Sequence, residues 1–237
     1  MPSSFGEFVS TSLAPFLHLP GCASFLADRS PNKRDELIEA LLASPEFVDY
    51  WAFRFGDLFR ATFVTSNNTA ALKAYEEWIT TSLIANKPFD KMAIERIAAQ
   101  GRSAPARNFY YVSEKVAPEV LMPELIRVFM GRRIDCAQCH NHPFETWSQN
   151  QFWGLTAFFG GVTELGDSRL IVDTLGDRHP DKSRDMSVIH PRTKEKVTPA
   201  YLDGKPLPTA EWGDPRMKLA QWIVAHPYFA EATANRI

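Results

Sequence analysis

Three cysteines in 237 residues are too few to staple a fold. Two of them, Cys136 and Cys139, sit close together, so Cys22 has no partner left and a disulfide framework is excluded unless it consumes that pair. An excess of one charge is also missing. The 26 Lys and Arg stand against 28 Asp and Glu, and without a basic surplus or a long basic run nucleic acid is not an expected partner. No apolar run reaches the roughly 18 to 20 residues that cross a bilayer; Leu13 to Leu19 is short and broken by Pro15, so no membrane span is expected in this chain. The patterns Gly-x-Ser-x-Gly, Gly-x-x-x-x-Gly-Lys and His-Glu-x-x-His do not occur, which leaves no conventional hydrolase or phosphate-cradling constellation.

What is present suits a globular chain: 45% apolar residues can bury one substantial core, or one larger domain with an appendage. The first two thirds read as consecutive helices. Ser30-Pro31 and Ser44-Pro45 each offer a capping side chain followed by proline at the first helical position. Phe47, Trp51, Phe55, Leu58 and Phe59 share one broad face, and Leu72, Tyr75, Trp78, Ile79 and Leu83 form the stripe of the next helix, which Asn86-Lys-Pro88 stops. Helices over about 90–99 and 116–133 follow, and Ser148 caps another that carries Phe152, Trp153, Phe158 and Phe159. These four rings suit a core or the wall of a haem site. Beyond Gly161 the texture turns to short strands, at 169–174, Val188-Ile-His190 and Lys196-Val-Thr198, and Asp214-Pro215 opens a last helix. The expected fold is mainly α, with a small irregular β and loop excursion in the C-terminal third. The expected core contacts run through Trp51, Phe55, Trp78 and Leu83.

The densest chemistry lies in Arg133-Ile-Asp-Cys136-Ala-Gln-Cys139-His140-Asn-His142-Pro143-Phe144. Cys-x-x-Cys-His is the attachment signature of c-type haem, in which two thiols form thioethers to the vinyl groups and the next imidazole reaches the iron. On that reading Cys136, Cys139 and His140 hold haem c, and His190, in a separate segment able to fold back, is the candidate for the opposite axial position. His142 lies too near in sequence to reach the other haem face and suits a supporting donor, a zinc ligand or a turn held by Pro143. Cys136, Cys139 and either His140 or His142 also supply three ligands for a tetrahedral zinc ion, with the fourth from elsewhere, and a redox dithiol or an unliganded pair are further readings. Met130, one turn upstream, reads as a core residue, Cys22 as a small buried one. His179 and His226 read as solvent-exposed, and Glu145 as a surface carboxylate or an acid–base group.

Assembled, these residues resemble the DUF1549 family. Phe25-Leu-Ala-Asp28, Leu41-Leu-Ala-Ser-Pro45, Trp51 with Phe55-Gly-Asp-Leu58, Trp78-Ile79, Asn86-Lys-Pro-Phe-Asp90, and Cys136 through Phe144 with Trp147 carry the resemblance, over about residues 19–163. His190-Pro-Arg-Thr193 resembles an interdomain segment, and Asp214-Pro-Arg216 through Ile237 resembles the start of a DUF1553 domain. The resemblance therefore divides the chain into a helical domain at 1–163, a linker at 164–212 and the beginning of a second domain at 213–237. Such proteins abound in planctomycetes and often accompany cytochrome-c-like domains. Family members usually carry an export signal and an upstream segment, so the resemblance implies an exported, periplasmic or otherwise extracytoplasmic protein, Met1 as an internal or miscalled start, and a DUF1553-like region of the same longer protein as neighbour; the cytochrome-c-like company implies electron exchange with a redox partner.

Overall fold

The computed structural model describes residues 19–61, 69–99, 117–160, 162–165, 174–177, 187–211 and 214–236, and every structural statement below concerns these residues. They contain nine α-helices: α1 (Leu19–Ala27), α2 (Lys33–Leu42), α3 (Pro45–Leu58), α4 (Thr69–Ile84), α5 (Phe89–Ile97), α6 (Pro118–Met130), α7 (Gln149–Thr156), α8 (Pro215–Ala225) and α9 (Pro227–Ala234). Two small antiparallel ribbons complete the described part, β1 (Val162–Leu165) with β2 (Thr174–Asp177), and β3 (Val188–Ile189) with β4 (Lys196–Val197). The protein is mainly α with a small β excursion, as its sequence pattern implies. The strand expected over 169–174 lies largely outside the described residues.

Local chemistry sets most helix ends. Ser44 Oγ accepts from the Phe47 N–H at 3.2 Å and opens α3, and Asp214 Oδ1 accepts from the Met217 N–H at 3.1 Å to open α8. Asn86 takes φ of +46° just past α4, while the Lys87 N–H reaches back to the Ser82 carbonyl at 2.8 Å. The start of α2 differs from expectation. Ser30 Oγ accepts from Asn32 N–H at 3.3 Å in a turn, so the helix begins at Lys33 rather than at Pro31, and none of its residues is buried.

The core centres on α6, whose Leu121, Met122, Leu125, Ile126 and Phe129 are fully buried. Helices α9 and α7 pack on it, α8 packs on α5, and α3 on α4. Leu219, Ala220 and Ile223 of α8 reach 0% exposure, so residues expected to begin another domain pack into this core.

The aromatic centre differs from expectation as well. Phe59, fully buried, stacks near Trp78, Phe89 and Phe129 with ring centroids 6.0–6.3 Å away, and the buried Arg96 guanidinium lies 5.0 Å from its ring centroid. Trp51 is only half-buried and touches Phe47, Tyr50 and Phe55 rather than the core cluster. Replacing Phe59 by Ala should therefore lower unfolding free energy by about 3–5 kcal/mol in urea titrations. Trp51→Ala should lower it by less than about 2 kcal/mol, and an equal loss in both would put Trp51 back in the core.

Candidate functional site

Helix α6 ends at Gly131, which adopts φ of +64° and donates its N–H to the Arg127 carbonyl at 3.2 Å. A side chain there would be strained by the backbone and would bring its Cβ to 3.1 Å from Ala232 of α9. The chain then turns, buries Ile134, and forms a short 3-10 turn over Asp135–Gln138. Ala137 faces the core at 0% exposure, so Cys136 and Cys139 on either side face outward as exposed free thiols. Asp135 is tied to α6 by Arg127 at 3.0 Å. Arg127 also meets Glu124 at 3.1 Å, and Glu124 meets Arg60 at 2.9 Å.

Helix α7 holds this loop from beneath. The Gln138 carbonyl accepts from Gln149 Nε2 at 2.9 Å and from the Trp153 indole N–H at 3.2 Å. Asn141 Oδ1 accepts from the Gln149 N–H at 3.0 Å. The His142 N–H donates to the Trp147 carbonyl at 2.8 Å. The helix itself starts in a capping box, with Ser148 Oγ accepting from the Gln151 N–H at 3.2 Å and Gln151 Oε1 accepting from the Ser148 N–H at 2.7 Å. Sequence reasoning marked Ser148 but missed Gln149 and Gln151, whose roles depend on what the fold sets opposite them.

The hydrogen bonds sort the candidate imidazoles. His140 is exposed, and its Nδ1 lies 2.6 Å from the Asn141 carbonyl, which can only accept. The proton is therefore on Nδ1, and Nε2 keeps a lone pair toward solvent. His142 is the reverse: its Nδ1 accepts from the Phe144 and Glu145 N–H groups at 3.3 and 3.0 Å, which puts the proton on Nε2 and removes that lone pair. His190 repeats this arrangement, with Nδ1 accepting from Arg192 and Thr193 N–H, both at 3.2 Å. It is 2% exposed, and its ring lies 6.0 Å from that of Trp153. The fold thus brings His190 near the motif, with the indole that bonds Gln138 between them. His226 Nδ1 accepts from the Tyr228 N–H at 3.2 Å and caps α9, so it is half-buried rather than solvent-exposed. Four of the six histidines precede proline, and the three of these that are described all cap a turn or helix through Nδ1. His18, His179 and the Cys22 side chain lie outside the described residues.

No three His, Cys, Asp or Glu side chains among the described residues converge to hold a metal ion. Phe152, Trp153, Phe158 and Phe159 are all at least nine-tenths buried and pack the core, as does Met130. Phe144, by contrast, is 92% exposed, and Glu145 is a surface carboxylate.

Two measurements follow from this geometry. Iodoacetamide should alkylate both Cys136 and Cys139 in the native protein, as located by peptide mass mapping; protection of either would contradict the outward turn. Burial pushes the His226 pKa below that of a free imidazole, against the opposing pull of Asp203 and Glu231. Above the unfolded value of about 6.5 both states are neutral and stability is complete. As pH falls below that value the unfolded chain takes up the proton first, so stability declines until the lower folded pKa is passed. His226→Asn, which keeps a capping acceptor without titrating, should flatten part of this decline in thermal melts from pH 7.5 to 5; an unchanged slope would exclude His226 as a source.

Among the described residues no helix is long and apolar enough to cross a membrane. Comparison with curated proteins and with solved structures finds no significant match. Residues 18–164, including the whole motif loop and the helices that hold it, match the family described as PSCyt2, protein of unknown function (DUF1549), and the chain belongs to that family.

Proposed function

We propose that the loop from Cys136 to His140 is an attachment site for c-type haem, and that the domain is an electron-transfer module of an extracytoplasmic protein. One observation carries the reading. The two thiols are exposed and free, and His140, next in the chain, is held in the tautomer that leaves Nε2 available. The residues fit the group chemically: thioether attachment needs the sulfurs to reach vinyl carbons, not to converge on a metal, so only one protein nitrogen must face the iron. When bound, haem would supply a one-electron couple.

The chain's own residues do the rest. Gln149 and Trp153 fix the Gln138 carbonyl and so the turn between the thiols. The Asn141 carbonyl orients the His140 ring. Phe144 stands exposed beside the motif, where an apolar patch on a redox partner would bury it. A DUF1553-like region of a longer protein is the neighbour this reading assigns. Structural zinc on the same loop is the competing chemistry; it requires ligands to gather that stand apart among the described residues.

The test is co-expression of the exported chain with a cytochrome c maturation system. A haem-stained band on a denaturing gel and a sharp α-band on reduction are expected, both lost in Cys136→Ser with Cys139→Ser. Absence of covalent haem overturns the proposal. So does stoichiometric zinc in protein made without the maturation system, if Cys139→Ser removes both the zinc and the thermal stability.

A further inference from the structure

Away from the motif, a cleft of about 320 Å³ opens between α3, the first residue of α5 and the end of α9. Its volume is at the lower end of the roughly 300–1,000 Å³ range of small-molecule sites. Trp51, Phe55 and Phe89 form its aromatic side. Phe55 meets Trp51 at 6.2 Å and Phe89 at 5.6 Å between ring centroids, edge to face in both pairs, so the three make a continuous surface. Trp51 is the member that sequence periodicity places in the core and the fold does not: it is half-buried, packs outside the core cluster, and has no hydrogen bond to its indole N–H among the described residues. A large ring left part-wet at a cleft, with its donor unspent, suits a ligand better than packing.

The polar side is equally unspent. Arg54 and Asp57, one helical turn apart on α3, are both exposed, and neither side chain has an ion-pair or hydrogen-bond partner among the described residues. Asn235 is exposed at the end of α9, and its side-chain amide is likewise unengaged. Arg236 closes the wall, with its two terminal nitrogens committed to the Arg127 and Val128 carbonyls.

These groups select among ligands. An anion would find Arg54 but also the Asp57 carboxylate, and the Arg236 donors are already given to backbone. A purely apolar ligand would strip water from Arg54, Asp57 and Asn235 without replacing it, which costs more than the rings return. A sugar hydroxyl both donates and accepts, so a guanidinium, a carboxylate and an amide side by side can each be satisfied by neighbouring hydroxyls. The C–H face of a pyranose ring is apolar and flat enough to lie on Trp51. We propose that this cleft binds a neutral pyranose, free or at the end of an oligosaccharide. The site is independent of the haem reading.

The test uses the full chain, titrated with glucose, galactose, mannose, N-acetylglucosamine and their β-1,4-linked dimers. Binding is followed by tryptophan fluorescence and by amide shifts in NMR spectra. At least one sugar should bind saturably, with Kd near about 1 mM, and the shifts should concentrate in α3 and the end of α9. Asp57→Ala and Arg54→Ala remove exposed side chains without fold partners, so both variants should melt like the parent and bind at least about tenfold more weakly. Absence of saturable shifts with every sugar overturns the proposal. So do shifts elsewhere in the protein, benzoate binding in place of sugar, or unchanged affinity in both variants.

Discussion

Helix α6 stops where it does because Gly131 can enter the left-handed region and lie against Ala232, and because Arg236 donates to the Val128 carbonyl, which the helix would otherwise leave unsatisfied, and adds a second donor to the Arg127 carbonyl that Gly131 already caps. The motif loop begins four residues later, so its position on the surface is inherited from that stop. The same turn of α6 carries Arg127, which reaches Asp135 at the start of the 3-10 turn. A cap supplied by α9 and a bridge supplied by α6 thus fix the entry to the thiols, and α7 fixes the exit. The loop is exposed yet anchored at both ends.

A Cys-x-x-Cys-His string with two more histidines near it invites every imidazole to be counted as a ligand. The hydrogen bonds separate them. In a His-Pro pair the proline removes one backbone donor and presets the next turn, while the imidazole Nδ1 collects the N–H groups that follow, much as Asp or Ser does at a helix start. His142, His190 and His226 all serve in this way. His140, followed by Asn, is oriented by a carbonyl instead, and its free nitrogen faces outward. The difference comes from one neighbouring residue and sets which ring keeps an uncommitted nitrogen lone pair.

Much of the fold is legible in the sequence because it is local. Ser44, Ser148 and Asp214 announce helix starts, Asn86 a helix end, and the ribbon of Val188-Ile189 with Lys196-Val197 follows from extended pairs around a turn. What was not legible depends on partners far along the chain. Trp51 carries the spacing of a core residue, yet the centre of the core falls at Phe59, where α4, α5 and α6 converge. The anchoring of Gln138 by Gln149 and Trp153 has no sequence signature, since the first reads as surface and the second as an apolar ring whose N–H partner lies fifteen residues away. Imidazole caps escape recognition because histidine is ordinarily weighed as a ligand or a titrating group first.

The region of family likeness ends at residue 164, whereas the hydrophobic interior does not. Leu219, Ala220 and Ile223 of α8 and Phe229 of α9 supply buried surface to α5 and α6, from a stretch of chain that the likeness does not reach. A chain cut at residue 164 would therefore leave the faces of α5 and α6 that α8 and α9 cover open to water, turning interior into surface.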